Sequence, residues 1–253
     1  MSIPDIMSRD RVCPWNVGDA IKVFAFYFLM MSLGSAILLF GFHKLFGQDP
    51  SAVFGENMVM LTLVLITNTL SCLYLLYIVR VRRAQPLAAL GVSLLDWRKN
   101  LTWGLLRYAV VLPVILASGF LVELMTKNAG ITPEHQAVVQ RFLEERSYFG
   151  VAAILAFGIL IGPVTEELLF RGFLQPALRD VLGGVKAILF TSFLFALVHF
   201  NLYIFIQIFI LGLLLGYLYE KTGTLAAPVA VHILHNSVSL CALLWIKQSE
   251  GLF

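Results

Sequence analysis

Two adjacent carboxylates and an arginine lie inside a strongly apolar part of the chain. The stretch PVTEELLFRGFLQP, residues 163–176, contains Glu166, Glu167 and Arg171. Each charge in a membrane-spanning helix costs roughly 2.5–3.5 kcal/mol on insertion scales, so a cluster of them demands a reason. In a helix, Glu167 and Arg171 share a face, which predicts an ion pair. Glu166 is rotated by about 100° from Glu167 and is left free for acid–base chemistry.

Further polar side chains lie in apolar sequence nearer the C-terminus. His199 follows Phe195 by four residues, and Asn236 follows His232 by four, so each pair shares a helix face. His235 lies outside this pattern, and we assign it no role. A free carboxylate, two imidazoles and an amide can supply a base for water, a second proton-transfer group and donors to an oxyanion. Together these residues indicate a hydrolytic site.

Other interpretations of these residues are weaker or purely structural. The sequence has no His-Glu-x-x-His zinc motif and no Gly-x-Ser-x-Gly nucleophile motif. The three scattered cysteines suggest neither a disulfide framework nor a metal cluster. At the membrane interface, the pair Glu167–Arg171 could simply snorkel toward water, with Glu166 solvated. That structural alternative stays open for the charged stretch taken alone.

Composition places the chain in a lipid bilayer. Of 253 residues, 59% are hydrophobic and 13% are charged, whereas soluble domains are about 45–50% apolar and about 25% charged. The mean hydropathy is +0.87. The net charge of +3 comes from basic residues in loops, a pattern typical of membrane orientation and not of nucleic-acid binding.

Apolar segments predict an all-α polytopic membrane bundle of about seven to eight transmembrane helices, and we expect Glu166 to Asn236 to form a polar cavity within it. A crossing takes about 20 apolar residues. The first segment is followed by no small-residue cleavage site, so we expect a transmembrane helix there and not a removable signal peptide. The fourth and fifth segments are short or interrupted. The seven segments are Val23–Phe42, Met58–Val79, Leu101–Leu124, Phe149–Val164, Ala187–Phe200, Leu202–Tyr219 and Leu225–Ile246.

Basic residues predict the orientation of these helices. The loop Arg80–Lys99 carries five basic residues and a single acidic one, which places it in the cytoplasm by the positive-inside rule. The N-terminus then lies on the same side, since two spans separate it from this loop. The loop Thr126–Ser147 is predicted to lie outside, with the pair Glu144–Glu145 on a solvated face. The loop Arg179–Lys186 returns to the cytoplasm, toward which the cavity should open.

Three successive motifs resemble those of a known family. EELLFR, FALVH and HILHN are similar to the Glu-Glu-x-x-x-Arg, Phe-x-x-x-His and His-x-x-x-Asn motifs of the CPBP membrane proteases, which include the type II prenyl-protein (CaaX) endopeptidase. The resemblance covers roughly Phe149 to Ile246. It implies a CPBP/CaaX-protease-like region at 148–247 and a helical bundle that encloses a polar catalytic cavity. Composition indicates a polar N-terminal segment at 1–20 and transmembrane helices and loops at 21–147, and we expect all three parts to form one integrated membrane domain.

The resemblance also implies roles. Glu166 would activate water with help from His199, and the developing oxyanion would be held by donors on the last helix. No cofactor is expected. Zinc bound by two histidines and Glu166 is an alternative that we do not favour, because it would consume the only unpaired carboxylate. The implied catalytic residues are Glu166, His199, His232 and Asn236, and the supporting residues are Glu167, Arg171 and Phe195.

The sequence therefore predicts an intramembrane endopeptidase acting on a membrane-associated protein or peptide. Because the family has many bacterial members, we expect a multi-pass protein of a bacterial plasma membrane. One alternative is a non-catalytic protein of the same fold that binds a ligand or confers immunity. Another is a proton-coupled transporter, in which buried carboxylates and histidines relay protons. The transporter is weakened because no inverted repeat is visible.

Overall fold

The computed structural model describes residues 12–93, 96–131 and 137–249, and within these residues the chain is helical without any strand. The first eleven residues of the predicted polar segment lie outside the described residues. A short 3₁₀ turn, Leu87–Leu90, lies between the third and fourth helices. The helices are α1 Val17–Phe46, α2 Pro50–Phe54, α3 Glu56–Arg82, α4 Trp97–Asn128, α5 Ala137–Glu144, α6 Tyr148–Leu182, α7 Gly184–Leu197, α8 Phe205–Thr222 and α9 Ala226–Ser249.

Six of the described helices are long and apolar enough to cross a membrane, namely α1, α3, α4, α6, α8 and α9. The shorter apolar helix α7 accounts for the remaining predicted segment, Ala187–Phe200. This confirms the predicted polytopic helical bundle, and the chain is a multi-pass integral membrane protein. The enclosed catalytic cavity stays a prediction.

Helix α6 differs from the prediction because it does not stop at the charged motif. The expected span Phe149–Val164 is part of one helix of 35 residues. Its first turn is capped by Ser147, whose Oγ accepts a hydrogen bond from the Gly150 amide at 2.9 Å. Two π-helical stretches, Phe157–Ile161 and Leu168–Leu174, widen the helix on either side of the carboxylates. Such stretches occur mostly within α-helices and frequently at functional sites.

Helix α8 forms one centre of the packing, between α4, α7 and α9. Its backbone approaches α7 closely at Gly212, where an added Cβ would lie 3.0 Å from the Cβ of Ser192. Small residues allow this approach, as they do at many helix contacts in membranes. The close contact places the end of α7 that carries Phe195 beside the turn of α6 that carries Arg171.

The start of α1 packs against the turn of α6 that follows the carboxylates. Trp15, just before α1, stacks on Phe173 with ring centroids 4.9 Å apart, and its indole N–H donates to the Phe173 carbonyl at 2.8 Å. Phe24 meets Phe170 edge to face at 5.0 Å. From Met30 to Phe46, by contrast, α1 has no buried residue. Only the first half of α1 therefore helps to position the site.

The predicted outer loop Thr126–Ser147 contains the amphipathic helix α5, and Glu145 beside it is not merely solvated. The Asn57 amide donates to Glu145 Oε2 at 2.6 Å, while the Ser147 amide and hydroxyl donate to Oε1 at 2.9 and 2.8 Å. These contacts, with the Asn57 hydrogen bond first, lower the pKa of the Glu145 carboxyl. Glu144 is exposed, as expected of a solvated face, whereas Glu145 is half-buried and hydrogen-bonded as well, because the third helix reaches this loop.

Replacing Lys247 by methionine should destabilise the protein. The Lys247 side chain has no exposed surface, and its ammonium donates to the carbonyls of Phe142, at 2.7 Å, and Glu145. Methionine keeps the apolar stem but leaves both carbonyls without this donor, a loss of about 2 kcal/mol. Thermal unfolding in detergent measures the effect. Lys127→Met, at the exposed end of α4, is the control and should change stability by less than about 0.5 kcal/mol. An equal loss of stability in both variants would show that the two hydrogen bonds of Lys247 do not stabilise the fold.

Candidate active site

The predicted ion pair of α6 is present and completely buried. Glu167 and Arg171 have side chains with 0% exposure, and Arg171 Nη1 donates to Glu167 Oε1 at 3.0 Å. Arg171 Nη2 donates to the Gly212 carbonyl at 3.3 Å, and its Cζ lies 4.3 Å from the centroid of the Phe195 ring. A carboxylate, a carbonyl and an aromatic face thus take the place of water around the guanidinium. These partners offset the cost of burying its charge, which would be high for an isolated group.

Glu166 has a different environment from its neighbour. Its side chain is 34% exposed, and its Oε2 lies 3.7 Å from His232 Nε2. Within the described part of the chain, no arginine or lysine pairs with it. Adjacent carboxylates in such different surroundings are suited to different tasks. Glu167 is committed to neighbouring side chains, whereas Glu166 is accessible to a water molecule or a substrate.

His232 of α9 connects the two carboxylates. Its Nδ1 lies 2.9 Å from Glu167 Oε1, while Nε2 faces Glu166. Because a carboxylate paired with arginine can only accept, Nδ1 carries a hydrogen and donates it. Sequence reasoning missed this contact, since it depends on where α9 crosses α6. The balance of charge could have indicated it. Two carboxylates and a single arginine leave one negative charge without a partner, which a histidine on another helix can supply.

His199 follows the last turn of α7 and faces its own helix with one nitrogen. Its Nδ1 lies 2.7 Å from the Phe195 carbonyl, which can only accept, so Nδ1 carries a hydrogen. In the neutral imidazole Nε2 is then free to accept a hydrogen bond. The Phe195 ring meets His199 at 5.0 Å and His232 at 5.7 Å, both edge to face. Among the described residues no hydrogen bond joins His199 directly to Glu166.

Asn236 lies one turn after His232 and is anchored on α6. Its Nδ2 donates to the carbonyl of Gly158 at 2.8 Å, within the first π-helical stretch. A primary amide has two N–H groups, so the second remains for another acceptor. His235 faces away from this group, and its Nδ1 lies 3.1 Å from the hydroxyl of Tyr108 on α4. The structure thus brings Asn236 toward α6 and ties His235 to a different helix.

Metal-binding side chains are not clustered in the part of the chain that the structure describes. Over residues 12–93, 96–131 and 137–249, no three histidine, cysteine, aspartate or glutamate side chains are grouped to hold an ion. His232 Nδ1 is engaged with Glu167, and His199 Nδ1 with a backbone carbonyl. Both of these ring nitrogens therefore already have partners within the protein.

Comparison with known proteins supports a peptidase-like domain in this part of the chain. Residues 148–238 match the family model described as type II CAAX prenyl endopeptidase Rce1-like. This segment contains all three motifs, and the match confirms the predicted resemblance. No solved structure is significantly similar to the chain.

Two proteins of Bacillus subtilis (strain 168) are similar to parts of the chain. "Putative membrane peptidase YdiL" is 26% identical over 87 residues, which are 34% of this chain and 36% of that protein. "Uncharacterized protein YpbD" is 32% identical over 93 residues, which are 35% of this chain and 45% of that protein. The chain thus matches less than half the length of these curated relatives.

Proposed function

We propose, from the premise that residues 148–238 form an Rce1-like domain, that this chain is a membrane-embedded endopeptidase. It would hydrolyse a peptide bond of a membrane-associated protein or peptide, at a site opening toward the cytoplasmic side. One observation carries the proposal: of two adjacent glutamates, Glu167 is locked in a buried ion pair while Glu166 stays accessible beside His232. A hydrolase that uses water needs such an unpaired base in a sheltered site.

In the proposed mechanism, Glu166 acts as the general base. Its carboxylate takes a proton from a water molecule that also donates to Nε2 of His199. The water oxygen forms a bond to the carbonyl carbon of the substrate, whose carbonyl oxygen becomes an oxyanion. Glu166 then gives its proton to the nitrogen of the leaving amine as the carbon–nitrogen bond breaks. The same carboxylate thus acts as base and then as acid, and the site returns to its starting protonation.

The oxyanion is held from α9. A protonated His232 donates from Nδ1 to Glu167 and from Nε2 toward the oxyanion, and Asn236 adds its second N–H. Protonation of His232 also balances the charge, because Glu166 and Glu167 together exceed Arg171 by one negative charge. During attack the negative charge moves from Glu166 to the oxyanion, both beside His232. No net charge is created in the apolar surroundings, where it would be costly.

The proposal is tested by looking for new protein termini. Purified protein in lipid nanodiscs is incubated with a membrane proteome, and new N-termini are mapped by mass spectrometry. We expect cleavage of membrane-associated proteins that is absent with an inactive variant. Identical termini with and without the active protein would instead support a non-catalytic binding role.

A second arm of this assay tests metal dependence. The protein is dialysed exhaustively against a strong chelator, and its metal content is checked by elemental analysis. We expect full activity without bound metal, because Glu166 and His199 activate the water. Activity lost on dialysis and restored by stoichiometric zinc would contradict this mechanism and make Glu166 a ligand.

A further inference from the structure

A basic groove lies at the beginning of α4, and none of its lining residues belongs to the candidate active site. It has a volume of about 400 Å³ and is lined by Arg98, Lys99, Thr102, Trp103 and Leu106. The groove is shallow and open along most of its surface, as a contact site for one part of a lipid would be. The groove combines two cations, a hydroxyl and an apolar wall, so it suits a ligand that is anionic at one end and apolar at the other.

Neighbouring aromatic and cationic side chains extend the groove onto α8. The Trp103 ring lies 5.6 Å from the Tyr217 ring. The guanidinium carbon of Arg107 lies 5.2 Å from the centroid of Trp103, and Lys221 Nζ lies 6.0 Å from that of Tyr217. Cations over aromatic faces are held electrostatically. The groove therefore belongs to a surface that spans two helices and carries four positive charges.

These four cations have no acidic partner in the described part of the chain. None of the ion pairs there includes Arg98, Lys99, Arg107 or Lys221. Arg98 and Lys99 are also exposed to solvent. Positive side chains gathered around a concave surface without counter-charges attract anions.

The groove lies at the level expected for lipid headgroups. With 32 residues, α4 is about 48 Å long, whereas the hydrocarbon core is about 30 Å thick. Its uninterrupted apolar sequence starts after Arg107, so the turns that form the groove precede the hydrocarbon. The same end of the bundle holds the basic loop, since the Leu225 amide donates to the Gly91 carbonyl at 2.8 Å. Tryptophan and tyrosine are enriched at this depth.

We propose that this groove binds the phosphate of an anionic phospholipid in the leaflet on the side of the basic loop. Arg98 offers a planar fork that matches phosphate oxygens, and Lys99 adds a point charge. Trp103 and Leu106 would contact the start of the acyl chains. A free phosphate ion has no apolar part and would leave these two side chains uncovered. The site is separate from the proposed peptidase chemistry, and neither depends on the other.

The test compares two double variants with the same change of charge. Full-length protein is reconstituted in nanodiscs of phosphatidylcholine with a minor fraction of phosphatidylglycerol, and bound lipid is measured by native mass spectrometry after detergent release. Arg98→Gln/Lys99→Gln should weaken phosphatidylglycerol binding roughly 30-fold, since each basic residue near the surface contributes about a fivefold effect. Arg82→Gln/Lys186→Gln, exposed positions outside the groove, should retain the lipid.

Two outcomes would overturn the lipid site. Equal loss of phosphatidylglycerol in both double variants would show general attraction to the basic surface. Displacement of the lipid by millimolar inorganic phosphate, with equal thermal stabilisation by phosphate alone, would assign the groove to free anions. Unchanged thermal unfolding of both variants in pure phosphatidylcholine verifies that the fold is intact.

Discussion

Replacing Glu166 by glutamine should reduce peptide hydrolysis by about 10²–10⁴-fold, the usual contribution of a general base. The amide has the shape of the carboxyl group but cannot take the proton of the attacking water. The fold should survive, because the Glu166 side chain is 34% exposed and the buried pair Glu167–Arg171 remains intact. The rate is measured on a peptide derived from an identified cleavage site, and stability by thermal unfolding in the same detergent.

Glu144→Gln is the matched control for this experiment. Glu144 is exposed on α5, so its substitution makes the same chemical change outside the candidate site. We expect wild-type rates for the control. An active Glu166→Gln enzyme, with a rate like that of the control, would remove Glu166 as the base and with it the proposed mechanism.

Replacing Glu167 by glutamine should instead lower the free energy of unfolding of the protein strongly. Arg171 would remain buried without its counter-charge, and His232 Nδ1 would lose its ionised acceptor. Breaking a buried pair by removing one partner costs about 3–5 kcal/mol. The loss is measured as the change in unfolding free energy or thermal midpoint in detergent. Glu56→Gln, whose pair with Arg141 is exposed, should cost no more than about 1 kcal/mol.

A double variant separates charge from packing at this position. Arg171→Met in the background of Glu167→Gln removes the orphan charge and should recover part of the lost stability. Equal stability of the Glu166→Gln and Glu167→Gln proteins would show that the two glutamates do not divide their tasks as proposed. A double variant less stable than Glu167→Gln alone would show that Arg171 acts through its other contacts.

The apolar helices were predictable from sequence, because the bilayer demands apolar stretches of about 20 residues. The ends of α7 and α8 were not, since the connection between them is itself partly apolar. The expected spans Ala187–Phe200 and Leu202–Tyr219 differ from the observed Gly184–Leu197 and Phe205–Thr222. Hydropathy does not report the turn at Asn201, whose Oδ1 accepts from the two amides of Tyr203 and Ile204.

Local geometry within the site was likewise easier to predict than contacts between helices. The Glu167–Arg171 pair follows from a separation of four residues and is observed. The contact of His232 with Glu167 depends on the crossing of α6 and α9, which no spacing in the sequence encodes. The anchoring of Asn236 on Gly158 depends in addition on a π-helical stretch. The assignment of catalytic roles stays a prediction.

Helix α1 is longer than the hydrocarbon core that it crosses, so it must adapt to the thickness of the bilayer. Its 30 residues extend for about 45 Å, which exceeds a hydrocarbon core of about 30 Å. The excess is accommodated by tilting or by local thickening of the bilayer, at a cost of fractions of a kcal/mol per Å of mismatch. From Met30 to Phe46 the helix has no fully buried residue and is held only by contacts of half-buried side chains, such as that of Phe42 with Phe54, so this half has the most freedom to change its tilt. The other end of α1 packs on Phe170, so a change of tilt is mechanically linked to the turn that holds the carboxylates.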